Sequence, residues 1–235
     1  MVNLSQTDYS LSAIRRWPTN RSKEWVSSFL EKAVEDLKVV AIIAVGSAVR
    51  DNVKSADIDL VLIARDSEKI LQNRPPIEVD IRIFAAEEVE LKVLKGHDYL
   101  GWAVKYGAVL HEKDSFWSKL VAKLGNEVPL PSAFAARERA ALAQRFAREL
   151  LEMGDEDAAS EQLLSLLTHL ARAELIDAGV YPASRPELPF QLKEIGQAKL
   201  ANLFEKALNR EHPSIDLINE IEALPSFILA RKLKQ

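Results

Sequence analysis

Val39-Val40-Ala41-Ile42-Ile43-Ala44-Val45-Gly46-Ser47, then Asp57-Ile58-Asp59-Leu60-Val61-Leu62-Ile63-Ala64, then the run from Ile77 to Phe84 with Asp80 inside it: these three segments decide the fold. The first is apolar throughout and rich in β-branched residues, which predicts a strand buried on both faces and closed by a Gly-Ser turn. The second and third predict two more strands, each carrying acid where burial should exclude it. Side chains alternate along a strand, so Asp57 and Asp59 are expected on one face and Ile58 and Leu60 on the other. If the third run pairs beside the second, Asp80 joins the first two acids.

Three carboxylates so placed repel one another and resist ionising unless something compensates. One or two divalent cations are the natural answer. Carboxylate oxygens suit a hard ion such as Mg²⁺, which keeps several waters and bridges to substrate phosphates. Gly46 lets the backbone approach such phosphates, and the Ser47 hydroxyl and nearby N–H groups can donate to them. Arg50 and Lys54 offer positive charge for a triphosphate. Each feature alone has an ordinary reading: a solvated turn for Asp-x-Asp, a helix N-cap for Ser47, a surface ion pair for Arg50. Their specificity lies in occurring together, in order, on three consecutive apolar runs.

Gly46-Ser47, Arg50, Ser55-Ala56-Asp57-Ile58-Asp59-Leu60 and Val79-Asp80-Ile81 resemble the signature of the DNA polymerase β-like nucleotidyltransferase superfamily. The resemblance is to small prokaryotic members, kanamycin nucleotidyltransferase-like enzymes among them, that carry a helical C-terminal region. It implies transfer of a nucleoside monophosphate from a triphosphate, ATP by default, to a hydroxyl of an acceptor such as an aminoglycoside. It further implies two Mg²⁺ ions on Asp57, Asp59 and Asp80 as catalytic metal ligands, with Gly46, Ser47, Arg50 and Ser55 at the nucleotide. The chain departs from the pattern in having Asp51 after the motif arginine and Ala56 between Ser55 and Asp57. Neither departure removes an implied metal ligand.

Composition bounds the rest. The 235 residues are 48% hydrophobic with a net charge of −4, enough for a large core and contrary to a broad electrostatic footprint for nucleic acid. No apolar run reaches the length of a membrane span, and Met1 to Arg16 lacks the apolar core of a signal peptide, so a cytoplasmic protein is expected. The chain has no cysteine and four scattered histidines, which excludes disulfides and argues against zinc. Homodimerisation stays open.

Taken in order, the pattern predicts a lead-in anchored by Leu11, Ile14 and Trp17, and an amphipathic helix from Ser22 through Leu37, capped by Ser22, Asn20 or Thr19. Further helices are expected at 66–71, ended by Pro75-Pro76, from Glu87 to Leu94, and over Tyr99 to Leu110 around Gly107. A strand over Ala108–His111 and a helix over Ser115–Leu124 capped by Asp114 complete the first domain. Glu87 or Glu88 is a candidate general base, although a solvated first turn is the commoner role. A boundary is expected at Gly125 to Pro131, giving domains 1–126 and 132–235. Beyond it the predicted helices are Ala135–Met153, Ala158–Ala178, Phe190–Gly196, Lys199–Leu208 and Ile215–Leu233, broken at Pro225. The fold class is therefore α+β: a mixed β-sheet flanked by helices, then an all-α antiparallel bundle.

That second half is similar to the HEPN-like domains that accompany such nucleotidyltransferases, chiefly through Leu170-Ala171-Arg172-Ala173-Glu174-Leu175 and Gly179-Val180-Tyr181-Pro182. HEPN ribonucleases pair an Arg with a His four to six residues later; His97, His111, His169 and His212 lack that arginine, and RNA cleavage is not expected. Glu149, Glu152 and Glu174 are candidate acceptor-side bases. The rival functions are nucleotidylation of a protein or RNA target, in the manner of toxin-antitoxin pairs, and a nucleotide-binding module without turnover.

Overall fold

A computed structural model describes residues 10–50, 56–65, 74–125, 127–209 and 215–224. The chain divides into two compact units, Met1–Pro129 and Leu130–Gln235.

The first unit is built on a four-stranded mixed sheet in the order β3-β2-β1-β4, with β1 over Val39–Val45, β2 over Ile58–Ala64, β3 over Val79–Ala85 and β4 over Ala108–Glu112. β1 runs antiparallel to both β2 and β4, while β2 and β3 are parallel. Every residue of β1 is buried, as its apolar sequence requires. Helix α1, Asn20–Glu35, lies on one face of the sheet, where Val26, Leu30 and Ala33 meet Ile42, Ala44, Ile58, Leu60, Leu62 and Val79. Its cap is Thr19, whose hydroxyl accepts from the Ser22 N–H at 3.0 Å in a reciprocal capping box. Leu11 and Trp17 also pack against this core, and Ile14 is buried in it.

The alternate side chains of the strands face the other layer, formed by α2 (Ala86–Leu94), α3 (Asp98–Tyr106) and α4 (Phe116–Leu124). Phe84 of β3 meets His97, the N-cap of α3, edge-on at 5.6 Å between ring centroids. Gly107 brings α3 into β4 so closely that a Cβ there would stand 2.7 Å from Cγ2 of Ile43.

Two local expectations change. Ile77 is almost fully exposed, and β3 starts two residues later, at Val79. Asp114 does not cap α4: Asp114 and Ser115 both take left-handed backbone (φ 53° and 54°), and the Glu112 carboxylate accepts from the Ser118 N–H instead, at 2.9 Å. The expected helix at 66–71 lies outside the described residues, as does the chain beyond Leu224 with Pro225.

The second unit is all helical: α5 (Ala133–Glu152), α6 (Glu156–Asp177), α7 (Leu188–Glu194), α8 (Ala198–Leu208) and α9 (Ile215–Glu222). α5 presents Ala140, Ala143 and Ala147 to Leu163, Leu166, Leu167 and Leu170 of α6, and small residues against large ones let the two helices lie close. Asp155 caps α6, accepting from the Ala158 N–H, and Gly179 leaves it at φ 76°. Arg137 of α5 pairs with Glu174 at 3.0 Å and with Asp177 on α6, and Gln197 donates to Glu174 at 3.2 Å.

Candidate functional site

The end of β1 places the turn. Gly46 sits at φ 77°, a left-handed conformation that disfavours side chains, and a Cβ on it would lie 2.5 Å from Oδ2 of Asp59. The glycine is therefore demanded by an acid on the neighbouring strand. Ser47 opens a short 3-10 turn, Ser47–Val49, and is half-buried. The Arg50 guanidinium carbon stands 4.9 Å over the ring of Tyr106. Asp51, Lys54 and Ser55 lie outside the described residues.

The three acids differ in environment. Asp57 is exposed and immediately precedes β2, so it does not lie within a strand. Asp59 is within β2 and largely enclosed. Asp80 faces Asp59 directly across the parallel β2–β3 pair, where register puts both on one face of the sheet, but Asp80 is exposed on an edge strand. Of three acids expected in buried strands, one is enclosed.

Burial first, and then the neighbouring charges of Asp57 and Asp80, push the Asp59 carboxyl up to about 6 against a smaller opposing effect of Arg82. Negative charge is thus concentrated where the sequence pattern put it. Among the described residues, however, no group of three or more His, Asp or Glu side chains is placed so that it could hold a metal ion. Asp80 is instead engaged by Arg82, whose Nε donates to Asp80 Oδ2 at 3.2 Å. The donor set has the chemistry of a magnesium site, hard carboxylate oxygens with excess negative charge, without being drawn together into a cage.

Two residues that sequence reasoning passed over belong to this cluster. Arg82 follows Asp80 by one strand period and shares its face. Tyr99, from α3, lies across Arg82, with the guanidinium carbon 4.0 Å from its ring centroid. The Tyr99 hydroxyl is completely enclosed and, among the described residues, has no hydrogen-bond partner. Burial, and next the Asp59 charge, hold that phenol above its ordinary range. Strand alternation around Asp80 could have revealed Arg82; nothing local announces Tyr99.

The other candidate bases fall elsewhere. Glu87 and Glu88 begin α2 at the far end of β3 from Asp80, a separation of roughly 20 Å at a rise of about 3.3 Å per residue. Glu88 pairs with Lys92 at 2.9 Å and is ordinary helix-surface charge. Glu174 belongs to the Arg137 network of the second unit, Glu149 pairs with Arg145 at 3.9 Å, and Glu152 is exposed. Nδ1 of His97 accepts from the Leu100 N–H at 3.3 Å, a capping role. His212 lies outside the described residues.

No protein family model matches the chain, and no curated protein matches it. Among solved structures, the chain is similar to a nucleotidyltransferase-like protein from Exiguobacterium sibiricum 255-15. The two share 18% identity over 90% of this chain and 73% of that one, with a TM-score of 0.42. A likeness that distant assigns no activity. No helix among the described residues is long and apolar enough to cross a membrane.

Proposed function

We propose that this chain is a magnesium-dependent nucleotidyltransferase that moves a nucleoside monophosphate, AMP from ATP by default, onto an acceptor hydroxyl. The observation that carries the reading is the seating of Asp59 under Gly46 and opposite Asp80. A phosphate-approach turn and two acids of the motif meet at one end of one sheet, in the order the superfamily resemblance implies.

In this reading Gly46-Ser47 offers backbone N–H groups and a hydroxyl to the triphosphate, with Arg50 adding positive charge nearby. Asp57, Asp59 and Asp80 would hold two Mg²⁺ ions, which when bound neutralise developing charge and lower the pKa of the acceptor hydroxyl. Asp80 must then exchange Arg82 for metal. The acceptor oxygen bonds to the α-phosphorus and pyrophosphate leaves. A small hydroxylated molecule is the favoured acceptor; a protein or RNA target would reveal itself by the mass of what gains the nucleotide in an extract supplied with ATP and Mg²⁺.

The test is transfer of α-labelled ATP by the parent chain and by Asp57→Ala and Asp59→Ala. Loss of transfer in both variants, with the helical circular-dichroism spectrum intact, is expected. Label transfer that persists in either variant refutes the reading. One observation favours a second reading: Arg82 on Asp80 is how a non-catalytic nucleotide-binding module would neutralise an acid that no longer holds metal. Calorimetry that detects ATP binding without pyrophosphate release across varied acceptors would select it.

A further inference from the structure

We propose that two copies of this chain pair through the outer edge of β3, antiparallel and related by a two-fold axis at Ile81, so that Asp80 of each copy faces the partner's Arg82. The two edges of the sheet differ. At β4 the chain covers its own edge, where the Leu110 carbonyl accepts from the Ser10 N–H at 2.8 Å. β3 stands at the opposite end of the strand order, and among the described residues no strand lies beyond it. Such an edge presents unpaired N–H and C=O groups and is a ready template for a further strand.

The pairing with β2 decides which groups are presented. The Glu78 carbonyl accepts from the Ile58 N–H at 2.7 Å, so the backbone groups of Glu78, and by alternation those of Asp80, Arg82 and Phe84, turn toward β2. Those of Val79, Ile81 and Ile83 turn outward. Two copies meeting antiparallel about Ile81 let Ile81 exchange both hydrogen bonds with the partner's Ile81, and Val79 do the same with the partner's Ile83. Asp80 and the partner's Arg82 then occupy a non-hydrogen-bonded position, where opposed side chains come closest.

Charges on an edge strand ordinarily keep other strands away. Asp80 and Arg82, each with a side chain more than half exposed, are opposite in sign and one strand period apart, and that pattern selects a single register. Moving the axis one residue either way opposes Asp80 to the partner's Asp80 or Arg82 to the partner's Arg82, and a parallel in-register pair opposes both. Moving it to Val79 sets Asp80 against the partner's Glu78. Ile81 and Ile83 are only half-buried where they meet the α1 core, and Ile77, almost fully exposed, comes to lie opposite the partner's Ala85. The ribbon therefore gains apolar cover along with its charge pairs, and the candidate site of each copy receives an arginine from the other.

The experiment measures the mass of the full chain by sedimentation equilibrium as a function of loading concentration, with circular dichroism to check the fold. The parent is expected to dimerise reversibly. Asp80→Arg and Arg82→Asp, each alone, oppose like charges twice across the axis and are expected to weaken dimerisation about tenfold or more. The double variant Asp80→Arg with Arg82→Asp restores the complement and is expected to recover the parent association. A second measurement does not depend on those variants: the chain has no cysteine, so Ile81→Cys supplies a unique thiol. A short bis-maleimide is expected to join two copies there, and not at Leu37→Cys, an exposed thiol in the turn between α1 and β1. A parent that stays monomeric overturns the proposal, as does a dimer that the single reversals leave unchanged or cross-linking no greater at position 81 than at position 37. A folded double variant that fails to recover association overturns the register about Ile81.

Discussion

Asp59 is the residue on which site and stability pull against each other. Its carboxyl is raised to about 6 in the folded chain against 3.8 in the ordinary state, so the folded protein binds the proton more tightly than the unfolded chain does. Stability is therefore highest below pH 4, falls as pH rises through the window between the two values, and is flat above it as far as this group is concerned. The shift corresponds to about 3 kcal/mol, at about 1.4 kcal/mol per pKa unit. Asp59→Asn is expected to raise the urea midpoint above pH 6 and to leave it nearly unchanged below pH 4, while abolishing nucleotide transfer. An equal or lower midpoint at pH 7 would show that the acid is not strained. Gly46 carries the converse prediction. Gly46→Ala forces a Cβ into Asp59 Oδ2 on left-handed backbone, and a loss of at least about 1–2 kcal/mol in denaturant unfolding is expected, together with loss of transfer.

Among the elements, α1 is the clearest case of local chemistry setting a boundary. Thr19 and Ser22 satisfy each other's backbone donors at its first turn, and the helix buries Val26 and Leu30 against the sheet. Thr19→Ala should cost about 1 kcal/mol, seen as a lower urea midpoint with an unchanged slope, and should leave nucleotide binding untouched. The start of α4 shows the opposite situation. Asp114 stands where a cap is expected, yet its backbone is left-handed and Glu112 on the preceding strand serves the Ser118 N–H. A side chain from a neighbouring element can do the work of a cap, and no local pattern in the helix records it.

For the molecule as a whole, each compact unit has its own core. In the first, the sheet face around Ile42, Leu60 and Leu62 packs on α1; in the second, Leu163, Leu166, Leu170, Phe204 and Ile218 gather around α6. A segment comprising 130–235 is expected to fold by itself, with a helical spectrum and a single cooperative thermal transition. A non-cooperative melt of that segment would show that its core is insufficient alone.

The sequence by itself determined the strands β1, β2 and β3 to within two residues, the position of most helices among the described residues, the mixed α+β class, and the common face of Asp59 and Asp80 once β2 and β3 pair. These follow from local rules: apolar runs become strands, a period of two sorts side chains to faces, and a Gly-Ser pair turns the chain. Tertiary structure alone decided which acid is enclosed, that Arg82 rather than a third carboxylate engages Asp80, and that the Tyr99 ring lies against Arg82. The reason is physical: alternation assigns a side chain to a face, but its burial and its partners depend on which strand ends at the edge and which helix crosses that face. Those are outcomes of long-range packing, which no short window of sequence contains.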